Sequence, residues 1–321
     1  MKTITKFIYA AFAVVIVAIG TITANGTPGD IVVTINGGNG GNGYIYTYAG
    51  GQPPPLPYPF GNYLRGVAFD NVGNLFVVNH ATFLNTPTVW KFAPNGISTF
   101  ATPSPNFGVE GLATDAANNV FVVANDGNTP STGVTIFKIT PDGTLSTFGS
   151  IPYPGQGWGA VCDSANNLFV ADGSDQIIYK FTPDGTRSIF VGPSAFTNIQ
   201  GPVGLAFDRF GNLFVSTEGA NFLPPYDVIY KFMPDGTEST FATGINNPRG
   251  LAFDRRGNLF VTLLVEHGPN GEILKFTPDG NMTVFSSGIG CQSVCGPEWL
   301  AIQPLTPRPR PSPHPRPILS P

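Results

Sequence analysis

The sequence predicts an all-β protein, a six-bladed β-propeller with four-stranded blades spanning residues 28–306. Three observations predict it. Glycine (40) and proline (32) are abundant, only 11% of the 321 residues are charged, and 26 phenylalanines supply a core. That balance favours turns and strands over helix. A pair of short blocks, "RGLAFDRRGNLFV" and "ILKFTPDG" in one unit, recurs five times at a spacing of about 45–49 residues, the length of one four-stranded blade. Partial copies at the two ends complement each other and complete a sixth unit.

Taken in order, the N-terminus has Lys2 and Lys6, an apolar run from Phe7 to Gly20, and small residues up to Ala24. This is the layout of a secretory signal peptide over residues 1–24, and the run is short for a membrane span. A single N-terminal anchor is the alternative. Either way the body lies outside the cytosol, secreted or periplasmic, and no span remains once the leader is cleaved. "DIVVTI", "GYIYTYAG" and "PLPYPF" then read as the second, third and fourth strands of a unit without its first.

Five full units begin at Arg65, Glu110, Trp158, Val203 and Arg249. In each, runs such as "GLAFD" and "NLFV" are apolar without alternation, as expected of a sheet covered on both faces. Between them lies a turn whose aspartate (Asp70, Asp115, Asp163, Asp208 or Asp254) accepts hydrogen bonds from the turn amides. The fourth turn position is Gly73, Gly211 or Gly257 in three units and Asn118 or Asn166 in two. Glycine and asparagine tolerate positive φ, so one backbone conformation accounts for both. The lysines at Lys91, Lys138, Lys180, Lys231 and Lys275 recur in every full unit, which marks them as architecture. "EWLAIQP", from Glu298, is a first strand with nothing after it, and joining it to the N-terminal fragment closes the ring and removes its sheet edges.

The tail, residues 307–321, alternates proline with arginine and is expected to be an extended basic segment. Without leader and tail, 11 Lys and Arg face 20 Asp and Glu, a body charge of −9, which disfavours nucleic acid as a partner. Cys291 and Cys295 sit in "GCQSVCG", where an oxidising compartment lets them form a disulfide. Cys162 lies in an apolar strand pattern and reads as a buried thiol. Asn25 and Asn281 begin N-x-T sequons.

"NPRGLAFDRRGNLFV" resembles the unit of the NHL-repeat propellers, and the resemblance covers nearly all of residues 30–304. The superfamily is similar to the gluconolactonase and senescence-marker-protein lactonases and, more distantly, to the streptogramin lyases, whose tryptophan-rich second strand is absent here. The resemblance implies the propeller fold and leaves activity open. For a gluconolactonase-type enzyme it implies a calcium ion held by glutamate, asparagine and aspartate near the channel mouth. Glu110 and Glu298 match as metal ligands by residue type, whereas arginines stand where further ligands are needed.

Chemistry is sought where matched units differ. Directly before the first-strand glycine, or its counterpart, stand Arg65, Glu110, Trp158, Val203, Arg249 and Glu298. Ring closure puts Glu298 between Arg249 and Arg65, so four neighbouring blades read Arg, Glu, Arg, Glu. Three readings remain open here. The charges form a ring of interlocking ion pairs; or Glu110 and Glu298 hold Ca2+; or a small molecule binds, with Arg65 or Arg249 facing an anionic group and Trp158 stacking on an apolar or sugar-like part. Second-strand ends add His80, Asn79, Asn125, Asp126, Asp172, Glu218, Glu266 and His267 to the same face. His267 beside Glu266 is the candidate general base, against the plainer reading of solvent-facing loop residues. No phosphate loop, nucleophile elbow or zinc-type histidine pair appears. The expectation is a monomeric, exported propeller that binds a small molecule, protein or glycan through its top face, the alternative being a metal-dependent lactone or ester hydrolase.

Overall fold

The computed structural model describes residues 29–35, 42–48, 58–80, 86–104, 107–127, 131–196, 201–218, 227–264, 271–289 and 296–304. The leader, the proline-rich tail, Asn25, Cys291, Cys295, Glu266 and His267 lie outside the described residues. The remainder forms six four-stranded antiparallel sheets, five with their strands in sequence order and the sixth with the last strand of the chain placed before the first three. Blade 1 holds Leu64–Phe69, Leu75–Asn79, Val89–Ala93 and Gly96–Ala101. Blades 2 to 5 have inner strands Phe107–Thr114, Gly157–Cys162, Gly201–Phe207 and Pro248–Phe253. In blade 6 the inner strand Pro297–Ile302 pairs with Ile31–Ile35, Val33 opposite Leu300. Both termini of the ring therefore share one sheet, which leaves no first or last blade exposed.

Apolar runs form strands here because both faces of each sheet are covered by the neighbouring blades. The second strands Leu75–Asn79, Leu168–Asp172 and Leu259–Leu263 are buried at every position. Phenylalanines cross the seams edge to face, as between Phe169 and Phe207 (5.0 Å) and between Phe214 and Phe253 (4.9 Å), an arrangement favoured by the ring quadrupoles. The recurrent lysines stretch over these rings: the Lys91 ammonium lies 5.7 Å from Phe76 and 5.3 Å from Phe100. Lys138, Lys180, Lys231 and Lys275 do the same over Phe121, Phe169, Phe214 and Phe260. Each supplies a cation–π contact and a covering aliphatic stem.

The aspartate turn is one construction repeated. Asp115 Oδ1 accepts from the amides of Ala117 (2.9 Å) and Asn119 (2.8 Å), and Oδ2 accepts from the Asn119 side chain (2.7 Å). Gly73, Gly211 and Gly257 have φ of 88°, 82° and 81°, and Asn118 and Asn166 both have 63°. The asparagines are more than stand-ins for glycine. Asn118 Oδ1 accepts from the Asn71 amide and Asn166 Oδ1 from the Ala116 amide, both at 2.9 Å, so each ties its turn to that of the preceding blade.

Inner strands approach so closely that glycine is required in them. A Cβ on Gly111 would stand 2.3 Å from the Trp158 carbonyl oxygen, and one on Gly204 2.0 Å from that of Arg249. In blade 6 the matching position is Trp299, which is 8% exposed. Its indole crosses the channel to blade 3, where a Cβ on Gly159 would fall 3.1 Å from the ring. Trp299 packs in one cluster with Val203, Val67 and Trp158, and together they floor the upper channel. Below this floor the inner strands enclose a separate cavity of about 260 Å³, reached from the bottom face and bordered by Cys162. Cys162 is half-buried, and burial raises its thiol well above the ordinary range.

Gly159→Ala is expected to lose about 1–3 kcal/mol of stability, the usual cost of overpacking, since Val203 and Trp299 leave no room for the methyl group. Gly192→Ala, whose Cβ would meet nothing within 4 Å, is expected to be neutral. Urea midpoints of the two variants compare them directly, and equal midpoints would refute the packing argument.

Candidate functional site

The first strand of each blade runs from the top face to the bottom, so the residue before each inner-strand glycine, or before Trp299 in blade 6, stands at the channel mouth. Round the ring these are Glu298, Arg65, Glu110, Trp158, Val203 and Arg249. Arg65 pairs with both neighbours: its Nε lies 3.2 Å from Glu110 Oε2, and Nη1 donates to Glu298 Oε1. Glu110 is 5% exposed and Glu298 2%, so little water screens these charges. On its second oxygen Glu110 meets His80 Nδ1 at 3.1 Å. The imidazole sits over Gly108, where a Cβ would stand 2.5 Å from its Cε1. Burial works against the Arg65 charge, but Glu298 and Glu110 outweigh it and hold the guanidinium protonated. Burial likewise raises the Glu110 carboxyl, and Arg65, with His80 beside it, more than reverses that and leaves it below the ordinary glutamate range.

The other half of the mouth is built differently. Arg249 donates from Nη2 to Glu218 Oε1 of blade 4 at 2.9 Å, and its guanidinium carbon lies 5.2 Å from the centre of the Trp158 ring. The alternation of charges thus becomes one three-residue ion-pair chain and one separate pair lying against an indole. Beside that pair is a top-face pocket of about 250 Å³, lined by Gln156, Trp158, Gly173, Ser174, Gly201, Val203 and Glu218. Gly173 admits the indole edge, since a Cβ there would fall 2.7 Å from Trp158 Nε1.

Second-strand ends do several jobs. Asn79 Oδ1 accepts from the Thr88 amide at 2.7 Å. Asn125 exchanges two bonds with the backbone of Gly157, at 2.8 and 3.0 Å. Asp126 Oδ2 accepts from Thr132 N at 2.8 Å and Oγ1 at 2.7 Å. Asp172, also at a second-strand end, is 0% exposed. Its Oδ1 accepts from the amides of Gln156, Ser174 and Asp175, so it shapes the pocket wall from behind. Burial, against those three amides, raises its carboxyl above the ordinary range.

Three hydroxyls that the sequence reading passed over position the charged ring. Thr34 Oγ1 donates to the Arg65 carbonyl (2.8 Å), Ser216 Oγ to that of Arg249 (2.7 Å) and Thr262 Oγ1 to that of Glu298 (2.7 Å). Blades 1 to 3 have Val78, Val123 and Ala171 at the matching second-strand position. The switch from apolar to hydroxyl inside a fully buried run was the signal available.

The calcium ion implied by a gluconolactonase-like propeller does not fit this set. Glu110 and Glu298 face a guanidinium that already supplies the positive charge, and among the described residues no three His, Cys, Asp or Glu side chains converge. A calcium site needs six to eight oxygens.

The sequence matches no family model and no curated protein. Solved structures do resemble the fold. A virginiamycin B lyase from Staphylococcus aureus aligns over 81% of this chain and 85% of its own, at 17% identity and a TM-score of 0.54. A gluconolactonase from Xanthomonas campestris aligns over 69% and 75%, at 16% identity and a TM-score of 0.51. TolB from Acinetobacter baumannii aligns over 84% and 67%, at 9% identity and a TM-score of 0.60. At these identities the likeness establishes the six-bladed propeller and nothing finer. No helix among the described residues is long and apolar enough to cross a membrane.

Arg65→Met is expected to cost about 3–5 kcal/mol at neutral pH, because it strands two buried carboxylates. The sign with pH follows from Glu110. Its depressed value stabilises the fold above the unfolded glutamate pKa of about 4.3, and that stabilisation is lost as pH falls through the folded value. The wild type should therefore weaken below pH ~4.3 while the variant's deficit shrinks there. Denaturant melts at neutral and acid pH test this, and a deficit independent of pH would count against it. Millimolar calcium is expected to leave the melting temperature unchanged, whereas a tight site would raise it.

Proposed function

We propose that this chain is an exported binding propeller that takes a small ligand at its channel mouth, in the pocket between blades 3 and 4. The observation that carries the reading is the pairing of an indole with an amide, a hydroxyl and a carboxylate around about 250 Å³ of open space. That volume lies just under the range of about 300–1,000 Å³ usual for small-molecule sites, which suits a ligand of a single ring. Trp158 offers an apolar surface and an N–H edge, while Gln156, Ser174 and Glu218 offer directional hydrogen bonds. Arg249 and Glu218 neutralise each other, so the pocket favours an uncharged ligand with one flat apolar side and polar edges. The ion-pair chain Glu298–Arg65–Glu110 serves as the rigid flank of this site.

The competing reading, a metal-dependent lactone or ester hydrolase, draws no support from the donor set. Binding of a panel of monosaccharides and small aromatic amides, followed by tryptophan fluorescence, tests the proposal. Trp158→Ala and Glu218→Gln are each expected to weaken a hit at least tenfold. Both should also lower the melt, because Trp158 packs against the core and Glu218 is the partner of buried Arg249, so affinities are compared well below each variant's own transition. Affinity untouched by either change removes the site. Calcium-dependent turnover of a lactone panel, abolished by Glu298→Gln, would replace the binding reading with the enzymatic one.

A further inference from the structure

We infer that the bottom face carries a second, unrelated ligand site, in the seam between blades 4 and 5, which takes an amphipathic anion: a carboxylate on an aromatic or short aliphatic body. A cavity of about 220 Å³ opens there, walled by Phe214, Phe241, Phe253 and Phe276. Phe214 stands edge-on to Phe241 at 5.0 Å and to Phe253 at 4.9 Å, and Phe241 meets Phe276 at 5.4 Å. Such a box desolvates an apolar body and offers ring edges and faces for it to pack against.

Its border is cationic. Arg209, Lys231 and Arg255 all line the cavity, and none of the three has a carboxylate partner among the described residues. The Lys231 ammonium lies 5.7 Å over Phe214 and the Arg209 guanidinium 4.7 Å from the ring of Phe210, a residue that is 70% exposed. Two carboxylates also border the space, and both are engaged by their own turns. Asp208 accepts from the amides of Phe210 and Asn212 and from the Asn212 side chain, and Asp254 from the matching atoms of Arg256 and Asn258. Those bonds orient the two carboxylates without cancelling their charge, so three cations against two carboxylates leave the rim positive by one, on a protein whose body is otherwise acidic.

The repeat shows that these arginines are particular to this seam. Lys231 recurs in every full unit, but the two residues after the turn aspartate do not. They are Asn71 and Val72, Ala116 and Ala117, or Ser164 and Ala165 in blades 1 to 3, and become Arg209 and Phe210, then Arg255 and Arg256, in the two blades flanking the cavity. The turn needs no arginine, since its hydrogen bonds are made by backbone amides and the recurrent Asp–Asn pair. A neutral hydrophobe would leave the excess positive charge of the rim unanswered, and a polyanion would have to bury charge among phenyl rings. An anionic head on an apolar body answers both halves of the site.

Isothermal titration of the full chain with 4-phenylbutyrate, against its uncharged analogue 4-phenylbutanamide, tests the inference. The acid is expected to bind in the submillimolar range and the amide at least tenfold more weakly. An Arg209→Gln/Arg255→Gln double variant, with both changes in exposed turns, is expected to erase that difference and leave amide binding as it was. Trp158→Ala should leave both titrations unchanged, which separates this site from the one on the top face. No heat from the acid at millimolar concentration, equal binding of acid and amide, or an undiminished preference in the double variant overturns the inference.

Discussion

Everything on the top face depends on how tightly the six inner strands are drawn together. At Gly111 and Gly204 the next blade's carbonyl occupies the place of a side chain, so at these seams the strands come as near as a glycine backbone allows. That closeness brings Glu298, Arg65 and Glu110 into contact across three separate sheets, and it leaves them too little water to stay charged alone. Mutual neutralisation is then obligatory, because an unpartnered buried charge is among the costliest defects a fold can carry. The hydroxyls of Thr34, Ser216 and Thr262 act on the same layer from behind. They pin the backbone beneath three of the charged residues, whatever the side chains do above.

Function in such a molecule resides in departures from its own repeat. Residues present in every blade, the turn aspartates and the lysines over phenylalanine, are absorbed by architecture. What is left over is the unequal ring at the mouth, the bare pocket beside Trp158, and the arginine-bearing turns of blades 4 and 5. The two faces thus differ in chemistry although the same four-stranded unit builds both. The upper pocket is neutral with hydrogen-bonding walls, and the lower one is aromatic with a positive rim.

The fold was legible because each backbone demand is written several times. One aspartate turn proves little, but five with glycine or asparagine at the same position identify a single conformation, and the closing sheet followed from complementary fragments at the ends. The site was legible only as a set of positions. That Arg65 bridges two glutamates could be read from ring order, since all three project from matching places. That Arg249 turns to Glu218 could not, because a long side chain chooses among partners whose distances no repeat encodes. Asp172 and Glu218 look alike as strand-ending carboxylates, yet loop amides bury one and the other lines a pocket. The short 3₁₀ turn Pro193–Phe196, which buries Phe196 against Tyr230 and Phe232, also had no counterpart in the other units to announce it.

Trp299 has one further consequence. By laying its indole across to Gly159, it turns what the fold would otherwise make a tube into two cups set base to base. A molecule that enters the upper cup meets the Trp299 indole and its neighbours Val203 and Val67 at the base. The same indole thus separates the chemistry of the channel mouth from that of the cavity below it.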